Sequence, residues 1–283
     1  MKNILAAVDF SDCSINALEH AISIAQKGQF DVHMVWVNNP SMTKTTIYSD
    51  ASSELIDEVK GQFEKLIAKY KPELHESKID FIIREGKIYR EIIDEAMEAG
   101  SMVIVMGTHG SSGFEQFWIG SNANKLISLS SIPVITIRAG INVSRSMGCI
   151  VVPIDSTLET RQKVPFTIFL AKLFDAEIHI LAIYRTQIKA VRRRIDDYVD
   201  QVTGYLEFEA VKYVTRSVEA DNITTATIEY AKSVDANLIS IMTDQETSPY
   251  NLLVGPYAQQ MVNNSPFPVL SIKPRELMIA ESH

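Results

Sequence analysis

Gly107-Thr-His-Gly110 is followed, after nine residues, by Gly120-Ser121-Asn122. An apolar run, Met102-Val-Ile-Val-Met106, stops just before the first glycine, and a helical pattern over 123–129 begins just after Asn122. A buried strand that leads into a glycine-bearing loop and then a helix N-terminus is the outline of an anion site. The first N–H groups of the helix have no partner inside it, and the positive end of its dipole faces the loop. The spacing predicts that Gly120, Ser121 and Asn122 take phosphate oxygens. Gly107 and Gly110 are expected to reach unusual φ values and let the backbone approach a ligand closely. Taken singly, such glycines are ordinary turn residues, and Ser121 is an ordinary helix cap. Residues 107–124 hold no Lys or Arg, and no GxxxxGK[ST] is present. Phosphates would therefore rest on backbone dipoles and a metal ion, without a P-loop lysine. His109 is the one loop residue with a near-neutral reference pKa, and it reads as a structural or ribose-side residue ahead of a general base.

Five strands must position this loop. Residues 3–8 form a continuous apolar run, read as a buried parallel strand. Asp9-Phe-Ser11-Asp12 supplies N-cap residues for a helix whose stripe, Leu18, Ala21, Ile22 and Ala25, runs to Lys27, where Gly28 stops it. Residues 30–37 are a second strand, and 38–50 have no clear period and read as a loop. Ile56, Val59, Phe63, Leu66, Ile67 and Tyr70 repeat at three and four, which predicts a helix over 52–70 ended by Pro72. Residues 79–83, 101–106 and 133–137 are strands. Between the first two of these, Gly86 precedes a helix over 88–99 with Ile92, Ile93, Ala96 and Met97 inward. Strict alternation of strands and helices means a parallel, doubly wound α/β sheet.

The chain has 283 residues, enough for two domains with a core each. No apolar run reaches the roughly 18 residues that a membrane span needs. The apolar stretch at the N-terminus is too short for a leader and Asp9 soon follows it, so the expected location is the cytoplasm. Cys13 and Cys149 fall in different halves with no framework or metal spacing, and both read as small buried residues. A net charge of −8 argues against nucleic acid as a partner. An anionic ligand must be held by local groups against the overall field.

After a polar, aperiodic stretch at 139–148 the pattern restarts. Cys149-Ile-Val-Val-Pro-Ile-Asp155 echoes the run that ends at Asp9, and Ile178-His-Ile-Leu-Ala-Ile183 echoes Val32-His-Met-Val-Trp-Val37. Leu238-Ile-Ser-Ile-Met242 echoes Val103-Ile-Val-Met106, and the strand after Pro268 echoes the strand after Pro133. So steady a spacing indicates a tandem duplication, with domains over 1–140 and 147–275. On that match Thr243-Asp-Gln-Glu246 replaces Gly107-Thr-His-Gly110, and the span from Met242 to Gly255 is one residue shorter than that from Met106 to Gly120. Pro256 after Gly255 removes a donor, and Asp244 and Glu246 would repel phosphate. The second repeat is expected not to bind, although Asp155 remains.

These residues resemble the universal stress protein family. The resemblance rests on Gly107-x-x-Gly110, nine residues and Gly120-Ser121-Asn122, with Asp9 after strand one and Ser131-x-Pro133-Val134 at strand five. It covers essentially the whole chain, twice. It implies two tandem Rossmann-like domains, each a five-stranded parallel sheet of order 3-2-1-4-5. Motif-bearing members bind ATP, so the cofactor implied is ATP, with or without Mg²⁺. Members pair through strand five, which implies an internal pseudo-dimer of the repeats and allows a homodimer. By resemblance Asp9 lies beside the adenosine, Val37 reads the adenine edge with its backbone, and Ala7, Val8 and Met106 line the same pocket. On sequence alone, Asp9 fits a helix-capping role equally well. All these positions fall at the carboxyl ends of strands, where open α/β sheets bind ligands. Many members carry a basic residue just after the second glycine. Here it is Ser111, so binding without efficient hydrolysis is expected.

The function implied is an ATP-binding stress or regulatory protein whose second repeat is structural. The alternatives are a slow ATPase or autokinase, and a nucleotide-independent scaffold for dimerisation or partner binding. Arg192-Arg-Arg194, in a helical stretch with Asp196 and Asp197, reads as a solvated face with salt bridges. Trp36 and Trp118 read as packing or interface residues, since no basic stripe accompanies them. The tail from Arg275 reads as frayed.

Overall fold

The computed structural model describes residues 2–39, 49–109, 120–138, 145–243 and 256–274, apart from the side chains of 49–52. The sequence expectations for Gly110, Ser111, Trp118, Asp244, Glu246, Gly255 and the tail fall outside these residues. The chain divides into two compact units, Met1–Leu126 with Val134–Gly140, and Ile127–Pro133 with Ile141–His283.

In the first unit, β1 (Asn3–Ala7), α1 (Asp12–Gly28), β2 (Asp31–Asn38), α2 (Ser49–Tyr70), β3 (Ile79–Glu85), α3 (Ile88–Glu98), β4 (Ser101–Gly107), α4 (Ser121–Leu129) and β5 (Val134–Ile137) alternate. The strands are parallel in the order β3-β2-β1-β4-β5. The second unit repeats the plan with β6 (Cys149–Ile154), α5 (Val164–Phe174), β7 (Glu177–Tyr184), α6 (Lys189–Phe208), β8 (Tyr213–Glu219), α7 (Ile223–Ser233), β9 (Leu238–Met242), α8 (Pro256–Asn264) and β10 (Val269–Ile272). Its strands are parallel in the order β8-β7-β6-β9-β10. The fold is thus two tandem Rossmann-like α/β domains. Among the described residues no helix is long and apolar enough to cross a membrane.

The central strands explain the continuous apolar runs. Ile4, Leu5 and Ala6 of β1 and Val103, Ile104 and Val105 of β4 are fully buried, because helices cover both faces of a parallel sheet. Three local expectations need correction. Gly28 is the last helical residue of α1, and Gln29 takes the left-handed conformation at φ 52°. Glycine at 28 instead leaves room for the Phe30 ring, which a Cβ would meet at 2.0 Å. Helix α2 starts at Ser49, earlier than its apolar period suggests. On α3, Ile92 and Ala96 face inward as expected, but Met97 is 60% exposed and the buried place beside them belongs to Glu95, at 5%.

Strand pairing also corrects the match between the repeats. Ile4 pairs with Val103, and its counterpart Ile150 pairs with Leu238. Val134 pairs with Ile104, and Val269 pairs with Ile239. The counterpart of Met106 is therefore Ile241, and that of Gly107 is Met242. The two loops are equal in length, and α4 and α8 start at equivalent residues, Ser121 and Pro256. The second unit has not lost a residue. It has a methionine in place of the first glycine.

Candidate functional site

β2 outruns β1, and this opens the site. β1 ends at Ala7, paired with Val35, and the Val8 N–H donates to Val35 O at 3.0 Å. Strand alternation puts the N–H and C=O of Val37 on the same side as those of Val35, beyond the last paired residue of β1. Past Val8 the chain turns into α1. Ser11 caps that helix, its Oγ accepting from Ser14 N–H at 3.3 Å. Asp9 is not the cap. Its Oδ1 accepts from the N–H (3.1 Å) and hydroxyl (2.5 Å) of Ser11, which fixes the turn. Asp155 holds Thr157 in the same way, at 2.9 and 2.6 Å. A turn common to both units accounts for the retention of Asp155 without any ligand.

Gly107 closes β4 without a positive φ, contrary to the expectation of an unusual conformation. The reason for glycine is close approach. A Cβ would lie 2.6 Å from Cys13 Sγ and 3.1–3.2 Å from the Cys13 backbone, so Gly107 seats the first turn of α1 on the strand. The Cys13 thiol donates to Ile137 O at 3.3 Å, and burial pushes its pKa up. Cys149 is half-buried, with its thiol raised to about 11, mainly by desolvation. In the second unit Met242 fills the place of Gly107, and the chain forms a 3-10 turn, Leu158–Arg161, before α5 begins.

The chain returns at Gly120. Its N–H donates to Thr108 O at 2.9 Å, so this amide is not a phosphate donor as expected. A Cβ there would stand 3.2 Å from the same carbonyl oxygen. The first bond within α4 runs from Asn124 N–H to Gly120 O, at 3.0 Å. The N–H groups of Ser121, Asn122 and Ala123 are thus the donors without a helical partner. Thr108 Oγ1 lies 2.8 Å from His109 Nδ1. His109 Nε2 is buried with no hydrogen-bond partner among the described residues.

These groups surround one cavity of about 300 Å³, the lower end of the usual size for a small-molecule site. Ala7, Val8, Asp9, Val37, Met106, Gly107, His109, Gly120, Ser121 and Asn122 all line it. Sequence reasoning missed Ser14, Val35, Ile88, Ile92, Thr108 and Ala123, and gave Trp36 a packing role, yet these also line the cavity. Ile88 and Ile92 carried no signal that separates a pocket wall from a core face. Among the described residues no Lys or Arg lines the cavity, and Lys125 stands over the Tyr89 ring instead. Among the described residues no cluster of His, Cys, Asp or Glu could hold a metal ion. Away from the cavity, Arg193 and Arg194 are exposed and Arg192 pairs with Glu219 at 2.9 Å, a solvated face with a salt bridge as expected, and Arg192 also lies over the Tyr184 ring.

The chain matches the model of the universal stress protein family over residues 1–138 and again over 147–273. A universal stress protein of Methanocaldococcus jannaschii is 32% identical over 140 residues, 48% of this chain and 82% of the relative. One of Bacillus subtilis is 28% identical over 146 residues, 48% of this chain and 99% of the relative. The crystal structure of a universal stress protein from Archaeoglobus fulgidus has a similar fold, with a TM-score of 0.74 at 20% identity, covering 96% of this chain and 98% of that one.

Proposed function

This chain belongs to the universal stress protein family, and from that premise we propose that its first unit binds ATP in the cavity where β1, β2 and β4 end. The second unit is structural and binds none. One observation carries the reading. The three open N–H groups of α4, the orphaned Nε2 of His109 and the overhanging backbone of β2 line a single cavity of ligand size.

Adenine fits against the Val37 backbone, between Ile88, Ile92 and Met106. The ribose falls to Asp9 and to His109. The phosphates fall to the N–H groups of Ser121, Asn122 and Ala123 and to the Ser121 hydroxyl, at the positive end of α4. With no cation among the described lining residues, Mg²⁺ supplies the positive charge when bound. Hydrolysis is slow at most. Among the described residues the cavity lining has no lysine or arginine for developing phosphoryl charge, and the Asp9 carboxylate is engaged in its own turn. The role is that of a stress or regulatory protein whose bound nucleotide sets its state.

Two features of the second unit support its silence. Met242 brings a side chain to the place of Gly107, and Pro256 has no N–H to offer where Ser121 has one. Titration of the chain with Mg-ATP, monitored by heat, tests both halves of the proposal. One site per chain is expected, and two equivalent sites would contradict it.

A further inference from the structure

Glu95 is a buried carboxylate on the inward face of α3, and His33 on β2 meets it. His33 Nε2 lies 2.9 Å from Glu95 Oε1, and Nδ1 contacts the Asp80 carboxylate on β3. A neutral imidazole has one N–H and one lone pair, so against two ionised carboxylates both contacts are hydrogen bonds only when both ring nitrogens carry hydrogen. The second oxygen of Glu95 is 3.3 Å from Arg84 Nε on β3. Arg84 also reaches Glu91 at 3.6 Å and Glu98 at 3.0 Å, both on α3. Two basic side chains and four carboxylates thus fasten α3 to β2 and β3. From β1 only Leu5 stands opposite His33, and among the described residues no further charged group contacts the imidazole.

The fold itself does not demand this network. A buried charge is costly unless paired, and the second unit replaces the buried carboxylate with a hydroxyl. His179 takes the place of His33, with Nδ1 2.9 Å from the Tyr230 hydroxyl and Nε2 2.9 Å from Glu177. Tyr230 on α7 is the counterpart of Glu95, and Val218 on β8 that of Arg84. One hydroxyl and one carboxylate satisfy a neutral ring. The helix carboxylate and the strand arginine therefore occur together only in the first unit. There, Ile88 and Ile92 sit one turn before Glu91 and Glu95 and form a wall of the cavity. Val35 and Val37 of the same cavity lie two and four residues beyond His33, on its face of β2.

We propose that His33, donating from both ring nitrogens to Asp80 and Glu95, is a positioning residue for the nucleotide cavity. With Arg84 it holds α3 at the distance from β2 that lets Ile88 and Ile92 close on the ligand. The inference rests on the nucleotide reading of that cavity. Its test begins on the full chain without nucleotide, with ¹⁵N spectra of the His33 ring and amide exchange across α3. Mg-ATP titrations of the unchanged chain, His33→Gln and Glu95→Gln follow. Both ring nitrogens are expected to carry hydrogen. In His33→Gln, exchange across 88–98 quickens while α1 is unchanged, and Mg-ATP binds at least about fivefold more weakly. A ring with one bare nitrogen overturns the proposal, as do unchanged α3 exchange and affinity in His33→Gln. Should His33→Gln fail to fold, Glu95→Gln, which keeps size but loses charge, carries the same expectations. An unchanged chain that binds no Mg-ATP defeats the nucleotide reading alone. The ring spectrum and α3 exchange still decide whether the network holds the helix.

Discussion

Gly107 and Gly120 are glycines for space, and each makes a separate prediction. At Gly107 the crowding is internal, since a Cβ would press on Cys13. Gly107→Ala should cost about 1–3 kcal/mol of stability, measured by urea unfolding. Cys13→Ala in the same chain should recover part of that loss, because it removes the Sγ at 2.6 Å but leaves the backbone contacts. Additive effects would place the strain elsewhere. At Gly120 a Cβ would press on the Thr108 carbonyl oxygen, and both residues line the cavity. Gly120→Val should weaken Mg-ATP binding by about tenfold or more, the equivalent of one such steric clash. Unchanged affinity would move the phosphate site away from α4. A third residue sets an alkaline limit. The Tyr184 phenol is pushed up to about 12, first by desolvation and then by its hydrogen bond to Asp196. An unfolded tyrosine ionises near about 10, so the folded state holds the proton longer. This contribution is fully present below about pH 10 and is lost as pH rises towards 12. Tyr184→Phe should flatten the decline of stability over that window, as read by unfolding at a series of pH values.

Among the elements, strands and helices were legible where burial imposes a period or a run, and least legible where two elements meet. The amphipathic stripes of α1 and α2 and the apolar runs of β1 and β4 announce themselves. The inward face of α3 was misread at one position because Met97 is apolar and Glu95 is not, yet the partners of Glu95 lie on other elements, His33 on β2 and Arg84 on β3. The repeat match slipped by one residue at β9 for a related reason. A strand buried on both faces has no alternation to fix its register, and the identity of Met106 and Met242 invited the wrong pairing. The cavity was legible on the loop side, through its glycines and Ser121, because helix-end chemistry leaves a local signature. Its hydrophobic wall was not, since Ile88 and Ile92 look like any core stripe. At this scale the cap of α1 can be tested. Ser11→Ala removes the acceptor for Ser14 N–H and the donor to Asp9, and should cost about 1 kcal/mol. A cost of that size in thermal unfolding would confirm Ser11 as the cap that sets the entrance to the site.

At the scale of the whole molecule, one duplicated fold carries two fates of the same loop. The first unit keeps glycine at 107 and serine at 121, and the second has Met242 and Pro256 in their places. The net charge of −8 opposes an anionic ligand, so affinity should depend on Mg²⁺ and on the local donors of α4. Because ligand binding stabilises only the state that binds, Mg-ATP at 100 times its Kd should add about 2.7 kcal/mol to the first unit alone. The most direct measurement is the stoichiometry of Mg-ATP binding to the full chain by isothermal titration calorimetry. One nucleotide per chain is the predicted result, with the affinity lowered by about tenfold or more in Gly120→Val. Two equivalent sites, or a single site untouched by Gly120→Val, would contradict the assignment of nucleotide binding to the first unit.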